Sequence, residues 1–295
     1  MPRPFPVYRV GDLEVTVISD GTFWLDAGSV FGPVPRTVWE PVVGDALNAL
    51  NQIPLSLNCL VVRGSAAARV VLIETGMGNK LDERGRRFYP GDYGYLVREL
   101  AELGIFPDEV DIVINTHLHQ DHCGWNTTRL HGALVPTFPN ARYYVQRKEL
   151  DLIEHPNERT RATYVADNIQ PLMETKQVTF LDDEFQVTPE VRIVPTPGHT
   201  PGHASVVLAS GHETGVYIGD IGQHRAQVER LAWMSGFDLM PLVSLETRRR
   251  LLREAVARNE LLFCAHNPYP GVGRLREDES GQRTLVDEPP AETLP

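Results

Sequence analysis

The sequence predicts an α/β fold in which sheets are layered between helices. Short apolar runs rich in β-branched residues recur along the chain, each bounded by Gly, Pro, Asp or Asn, as strands are. Helical spacing appears in a few stretches between them, so strands dominate the first part and helices are interposed later.

Taken in order, Val15–Ile18, Cys59–Val62 and Val70–Ile73 are the first strands. Between the first two, residues 23–54 carry Phe23, Trp24, Phe31 and Trp39 among several prolines, with little periodicity. That stretch reads as a long ordered excursion serving as a lid over a site or as an interface. Tyr93, Leu96, Val97 and Leu100 have the i, i+3, i+4, i+7 spacing of a helix. Strands follow at Ile112–Ile114, Tyr143–Val145, Val191–Val194, Val206–Leu208 and Val216–Ile218. A second helical stripe, Leu245, Leu252, Ala255 and Val256, has Ser244 as an N-cap ahead of Glu246, and Leu261–Phe263 closes the series. Residues 1–287 form one expected domain, and 288–295, Glu-Pro-Pro-Ala-Glu-Thr-Leu-Pro, read as a frayed tail.

Composition narrows the class. A chain of 295 residues buries a sizeable core without disulfides, and Cys59, Cys123 and Cys264 are too few and scattered for a disulfide framework. The start of the sequence has no apolar run of signal-peptide type, and no stretch approaches the roughly 20 apolar residues of a membrane span, so a cytoplasmic location is expected. The formal charge of −11 argues against a nucleic-acid partner, because phosphate binding needs clustered Lys and Arg. The expected partner is a small-molecule substrate, with a homodimer left open.

The chemistry concentrates in Asn115-Thr-His117-Leu-His119-Gln-Asp121-His122-Cys-Gly, directly after an apolar strand. On a tight turn His117 and His119 can converge on one ion while Asp121 and His122 point to another. Imidazole and carboxylate are what zinc and its neighbours in the transition series accept. Thr196-Pro-Gly-His199-Thr-Pro-Gly-His203, Gly219-Asp220 and Ala265-His266 each follow a strand as well. Four strand ends thus deliver metal-ligand residue types in a protein with ten histidines.

In that order, His-x-His-x-Asp-His followed by His, Asp and His resembles the metallo-β-lactamase fold superfamily. The resemblance spans essentially the whole chain and is to the dinuclear members. It implies an αββα sandwich holding two divalent ions, zinc above all, with iron, manganese or cobalt as alternatives. It places His117, His119 and His199 on the first ion, Asp121, His122 and His266 on the second, and Asp220 on both. Phe138-Pro-Asn-Ala-Arg-Tyr-Tyr-Val, the His199 segment and His266-Asn-Pro-Tyr-Pro-Gly-Val-Gly resemble the branch of acyl-homoserine-lactone lactonases and methyl parathion hydrolase. The implied activity is hydrolysis of an ester, lactone or organophosphate by a hydroxide bridging the ions, with Asp121 or Asp220 passing a proton to the leaving group. A β-lactamase or thioesterase of the same fold is the alternative. A di-iron redox protein or a non-catalytic binding module is disfavoured, because His119 stands where redox relatives have glutamate and no ligand is missing.

The sequence departs from that branch at two positions. Lactonases of this kind place a tyrosine three residues after the bridging aspartate, where Gln223 stands here, followed by His224. Glu74-Thr-Gly replaces the usual Asp-Thr-Gly, and Glu74 is expected to act through the ligands instead of binding metal itself. His203 is read the same way. Gln223, His224 and Tyr164 are the candidate substrate-pocket residues, Cys123 a buried filler, and His131, His155 and His212 surface residues.

Overall fold

The computed structural model describes residues 4–294, so Pro295 of the expected tail lies outside them. The strands are β1 (Phe5–Val10), β2 (Leu13–Asp26), β3 (Gln52–Arg63), β4 (Val71–Ile73), β5 (Gly91–Tyr93), β6 (Ile112–Ile114), β7 (Thr127–Leu130), β8 (Ala133–Pro136), β9 (Arg142–Gln146), β10 (Val178–Leu181), β11 (Phe185–Thr188), β12 (Val191–Pro195), β13 (Ala204–Ser210), β14 (Glu213–Tyr217), β15 (Leu261–Phe263), β16 (Val272–Glu277), β17 (Arg283–Asp287) and β18 (Glu292–Leu294). One sheet runs β10-β9-β6-β4-β3-β2-β1-β18, with β5 also paired to β2, and a second runs β11 to β17 in sequence order.

Alternation along single strands produces the layers. Val71 and Ile73 point into the core between the sheets, with Val15, Val17, Ile193, Val206 and Phe263. Leu72, between them, points the other way, into a core with Val113, Leu96 and Leu100. In the second sheet Leu261 and Phe263 face the inner core, while Leu262 and Cys264 pack with Leu252 and Ala255 of helix Pro241–Arg258. Both faces of each sheet are covered, so these strands read as unbroken apolar runs. This is the αββα sandwich that the sequence implies, and every expected strand is present.

Three expectations need correction. The 23–54 segment is not all excursion, because Phe23–Asp26 pairs with Gln52–Leu55 as the far end of the β2–β3 hairpin. Only its tip leaves the sheet, as helices Ala27–Phe31 and Arg36–Val43. Phe23, Phe31 and Trp39 pack with Tyr89, Tyr93 and Trp233 in a core of their own, which is why the segment lacks a single period. Second, helix Pro241–Arg258 begins at proline, whose fixed φ suits the first helical position, and Ser244 lies within its first turns with its hydroxyl unpartnered. Third, the tail is not frayed through Leu294. Glu292–Leu294 pairs antiparallel with Phe5–Val7, and Ala291 N–H donates to Val7 C=O, because the outer edge of β1 would otherwise be unsatisfied.

Parallel pairing of β4 with β6 and of β14 with β15 brings their C-terminal ends to one rim of the sandwich. The loops after these strands are pressed together backbone to backbone. A Cβ on Gly124 would lie 2.0 Å from the Met77 carbonyl oxygen. Lys80 Nζ donates to the Gly124 and Thr127 carbonyls, clamping the same contact. Gly124→Ala is therefore expected to destabilise the protein by roughly 3 kcal/mol or more, the scale of a backbone clash in a packed interior. Chemical denaturation reads this directly, and a loss under about 1 kcal/mol would mean that the loops separate easily.

Candidate metal centre

At this rim every sequence-predicted ligand converges. His117, His119, His199 and Asp220 present donor atoms within 4.8 Å of one another, as do Asp121, His122 and His266. His119 Nδ1 lies 2.9 Å from His117 Nε2 and 3.1 Å from His199 Nε2. The three rings stand nearly perpendicular, at 78°, 83° and 86°. One ring N–H cannot satisfy two lone pairs at once. Three nitrogens aimed at one point are what a tetrahedral ion needs, since bonds of about 2.0–2.1 Å to zinc set nitrogens near 3.3 Å apart.

Asp220 stands between the groups. Its Oδ2 faces His199 Nε2 at 3.4 Å, and its Oδ1 faces His266 Nε2 at 3.0 Å and His122 Nε2 at 3.2 Å. Oδ1 is buried and receives no hydrogen bond, an orphaned acceptor that a cation would satisfy. The donor set therefore fits divalent ions. Gly219 supplies the turn that delivers Asp220, at φ +55°, and a Cβ there would lie 2.6 Å from His203 Nε2.

Groups behind the ligands set their orientation. His199 Nδ1 faces Asp238 Oδ1 at 3.1 Å, His266 Nδ1 faces the Ser56 carbonyl at 2.7 Å, and His117 Nδ1 faces Thr116 Oγ1 at 3.0 Å. Each arrangement leaves Nε2 for the centre. Glu74 sits behind His122, with Oε1 at 3.5 Å from Nδ1 and accepting from Thr116 N–H at 2.9 Å. Its φ of +66° is strained for a side chain of that size. His203 accepts the Asp220 N–H at Nε2 and faces the Thr196 carbonyl with Nδ1. Both residues lie behind the candidate ligands.

Charge divides the two groups. Burial, aided by neighbouring imidazoles, pushes His117 and His119 well below the usual histidine range, so their lone pairs are free. Burial opposes charge on His122 and His266 too. There Asp220 outweighs it, with help from Asp121, and both rings are held above that range. Burial likewise favours neutral Asp220, but His266, His122 and His199 outweigh it and keep the carboxyl well below the carboxylate range.

The candidate pocket residues are placed differently from expectation. Gln223 is spent at both ends, donating to Asp220 Oδ2 at 2.6 Å and accepting from Ser235 Oγ at 2.6 Å. His224 caps helix Arg225–Glu229, its Nδ1 accepting from Ala226 N–H at 3.1 Å, and burial with Arg225 and Arg230 nearby pulls its pKa to about 4. Tyr164 sets its ring against His119, and its hydroxyl donates to Glu149 Oε2 at 2.9 Å, pointing away from the centre. A cavity of about 290 Å³ beside His119 is lined instead by Ser29, Phe88, Arg159, Phe237 and Leu239. Cys123 is a buried filler as expected, and His131, His155 and His212 are exposed.

Sequence reasoning missed Glu149 and Asp238. Glu149 accepts from Leu118 N–H and the Tyr164 hydroxyl on one oxygen, and from the Thr200 hydroxyl and Gly202 N–H on the other. It thereby ties the His117–His119 loop to the His199 loop. In Arg147-Lys-Glu-Leu-Asp nothing separates it from ordinary helix-surface charge. Asp238 likewise has no local motif.

The metallo-β-lactamase superfamily matches residues 53–266, and the chain belongs to that family. An N-acyl homoserine lactonase of Bacillus thuringiensis subsp. kurstaki is 29% identical over 173 residues, 58% of this chain and 62% of that protein. The chain thus spans less than two thirds of that relative. A probable metal-dependent hydrolase from Staphylococcus aureus superposes with a TM-score of 0.85 at 23% identity, over 95% of this chain and 98% of the other. A dizinc quorum-quenching lactonase, AidC, solved with its product N-hexanoyl-L-homoserine, gives 0.79 at 22% identity, over 96% and 97%. These structures share the fold. Among the described residues no helix is long and apolar enough to cross a membrane.

The charge asymmetry predicts unequal metal sites. A ligand must lose its proton to bind, and Asp220 makes His122 and His266 hold theirs to higher pH than His117 and His119 do. Titrating zinc into metal-free protein at pH 8, 7 and 6 should show the second equivalent weakening up to about tenfold per proton and pH unit, and the first far less. Equal slopes for both would contradict the asymmetry.

Proposed function

We propose that this protein is a metal-dependent hydrolase that holds two divalent ions and cleaves ester-type bonds of a small molecule. The Asp220 carboxylate carries the reading, because it offers one oxygen to each donor group. His117, His119 and His199 would hold one ion, Asp121, His122 and His266 the other, and Asp220 both. Zinc suits this buried nitrogen and oxygen set best. When bound, the ions supply water activated near neutral pH and polarise the substrate oxygen.

The chain's own groups do the rest. Asp238, Ser56 and Thr116 aim imidazole nitrogens inward, and Gln223 stops the Asp220 carboxylate from rotating. Asp121 is the most exposed of the seven and sits 3.5 Å from His266 Nε2, so it can carry a proton out to a leaving group. Asp220→Asn would leave one oxygen for two groups. It should remove at least one of two metal equivalents and lower turnover by more than the roughly 10–100-fold typical of changes behind a ligand. Metal analysis beside kinetics tests this, and two equivalents with near-normal turnover would sink the shared-carboxylate role.

Substrate preference follows from what the pocket lacks. The lactonase relatives support an ester-type substrate. Gln223, however, stands where such enzymes are expected to present a phenol, and both its ends are committed. The Tyr164 hydroxyl is committed to Glu149. No phenol or free amide from these positions can share oxyanion charge, so substrates with good leaving groups should be favoured. Aryl esters or activated phosphotriesters are expected to exceed an N-acyl homoserine lactone in kcat/KM on one preparation. A tenfold preference for the lactone, about 1.4 kcal/mol of transition-state binding, would overturn this.

A further inference from the structure

Phe88 and Ala162 line two cavities at once, the pocket beside His119 and a larger cleft of about 1020 Å³ next to it. The Phe88 ring, a wall of both, is half exposed. Gln120, between His119 and Asp121 in the ligand loop, also faces the larger cleft.

That cleft is basic in an acidic protein. Lys80, Arg84, Arg87, Arg129 and Arg161 line it, against only Asp82 and Asp167, although the chain carries a formal charge of −11. Both carboxylates are in use, since Asp82 accepts from Gly85 N–H at the start of helix Glu83–Phe88 and Asp167 pairs with Arg129 at 3.3 Å. Lys80 is held by the Gly124 and Thr127 carbonyls, and burial lowers its pKa to about 8. Arg87 faces Glu83 at 3.6 Å, both widely exposed. Among the described residues no carboxylate pairs with Arg84 or Arg161. Two guanidinium groups without a carboxylate partner thus line a cleft that Gln120 of the ligand loop also lines. Planar guanidinium forks match carboxylate and phosphate oxygens, and a cleft of one sign concentrates ligands of the other.

We propose that this basic cleft binds an anionic group, carboxylate or phosphate, at the end of the substrate remote from the bond cleaved at the metal centre. The assignment rests on the hydrolase reading above and narrows its substrate class to esters that carry a negative charge. Phe88 contacts the apolar spacer between the two ends, and Arg84 and Arg161 hold the charged terminus.

The test uses metal-loaded protein and three 4-nitrophenyl octanoates that differ only at the far carbon, bearing a carboxylate, a phosphate or a neutral methyl ester. Water adds to the aryl ester carbonyl, the bond to the aryl oxygen breaks, and 4-nitrophenolate is read. At low salt one or both anionic esters should exceed the neutral one in kcat/KM at least fivefold, and the better of the two names the anion. In Arg84→Gln/Arg161→Gln that ratio should fall to near one, and 0.5 M NaCl should lower it in the wild type. A wild-type ratio near one, or a ratio untouched by the double variant, overturns the proposal. If no ester is cleaved, the hydrolase reading fails and calorimetry decides the cleft alone. Octanedioate and octyl phosphate are titrated into the same metal-loaded protein. At least fivefold weaker binding of either to the double variant supports the cleft, and equal or absent binding of both rejects it.

Discussion

Everything at the rim depends on holding like groups together where they have nothing to give one another. Five imidazoles crowd into a buried space, and two of them, His117 and His119, are kept neutral there by burial. Without an ion, facing nitrogens near 3 Å gain little and lose their hydration. The surrounding chain must therefore impose the arrangement. Glu149 does so by joining two ligand loops through four donors, and Gly219 does so by a turn that no bulkier residue could make beside His203. The centre is preorganised by groups that never approach it.

That division explains what could be read from the residues alone. Strands and ligands were legible because each carries its signal locally. An apolar run such as Ile112–Ile114 needs no partner to be recognised, and His-x-His-x-Asp-His is dense within six positions. The order in which strand ends deliver ligands resembles the superfamily, and the chain belongs to it. Supporting groups are legible only through space. Glu149 reaches its donors from a helix 31 residues beyond Leu118, and Asp238 lies 39 residues after His199. Nothing in their neighbourhoods marks them.

The candidate pocket residues are engaged elsewhere for a related reason. Gln223, His224 and Tyr164 lie near ligands in sequence or in expected geometry, and nearness suggested contact with substrate. A polar side chain beside a buried centre meets stronger claims first. Gln223 holds a carboxylate, His224 closes a helix end, and Tyr164 completes the Glu149 network. The cavity beside His119 is lined instead by Phe88, Arg159 and Phe237, drawn from three separate segments. The 23–54 segment shows the opposite case. Its lack of periodicity reflects a hairpin end capped by two helices with a core of their own, and Ser29 from that tip walls the pocket.

The three cysteines make the molecule its own stopwatch. Cys59 and Cys123 lie in the core beneath the first sheet and Cys264 in the core beneath the second, and burial pushes all three thiols far above their ordinary range. An alkylating reagent meets no thiolate while these layers stay closed. Each thiol then ticks only when its own layer breathes. Cys123, beside the ligand loop, times the rim separately from the sheet that holds Cys264. Peptide mass spectra of samples alkylated for increasing times would resolve the rate of each thiol without an engineered probe.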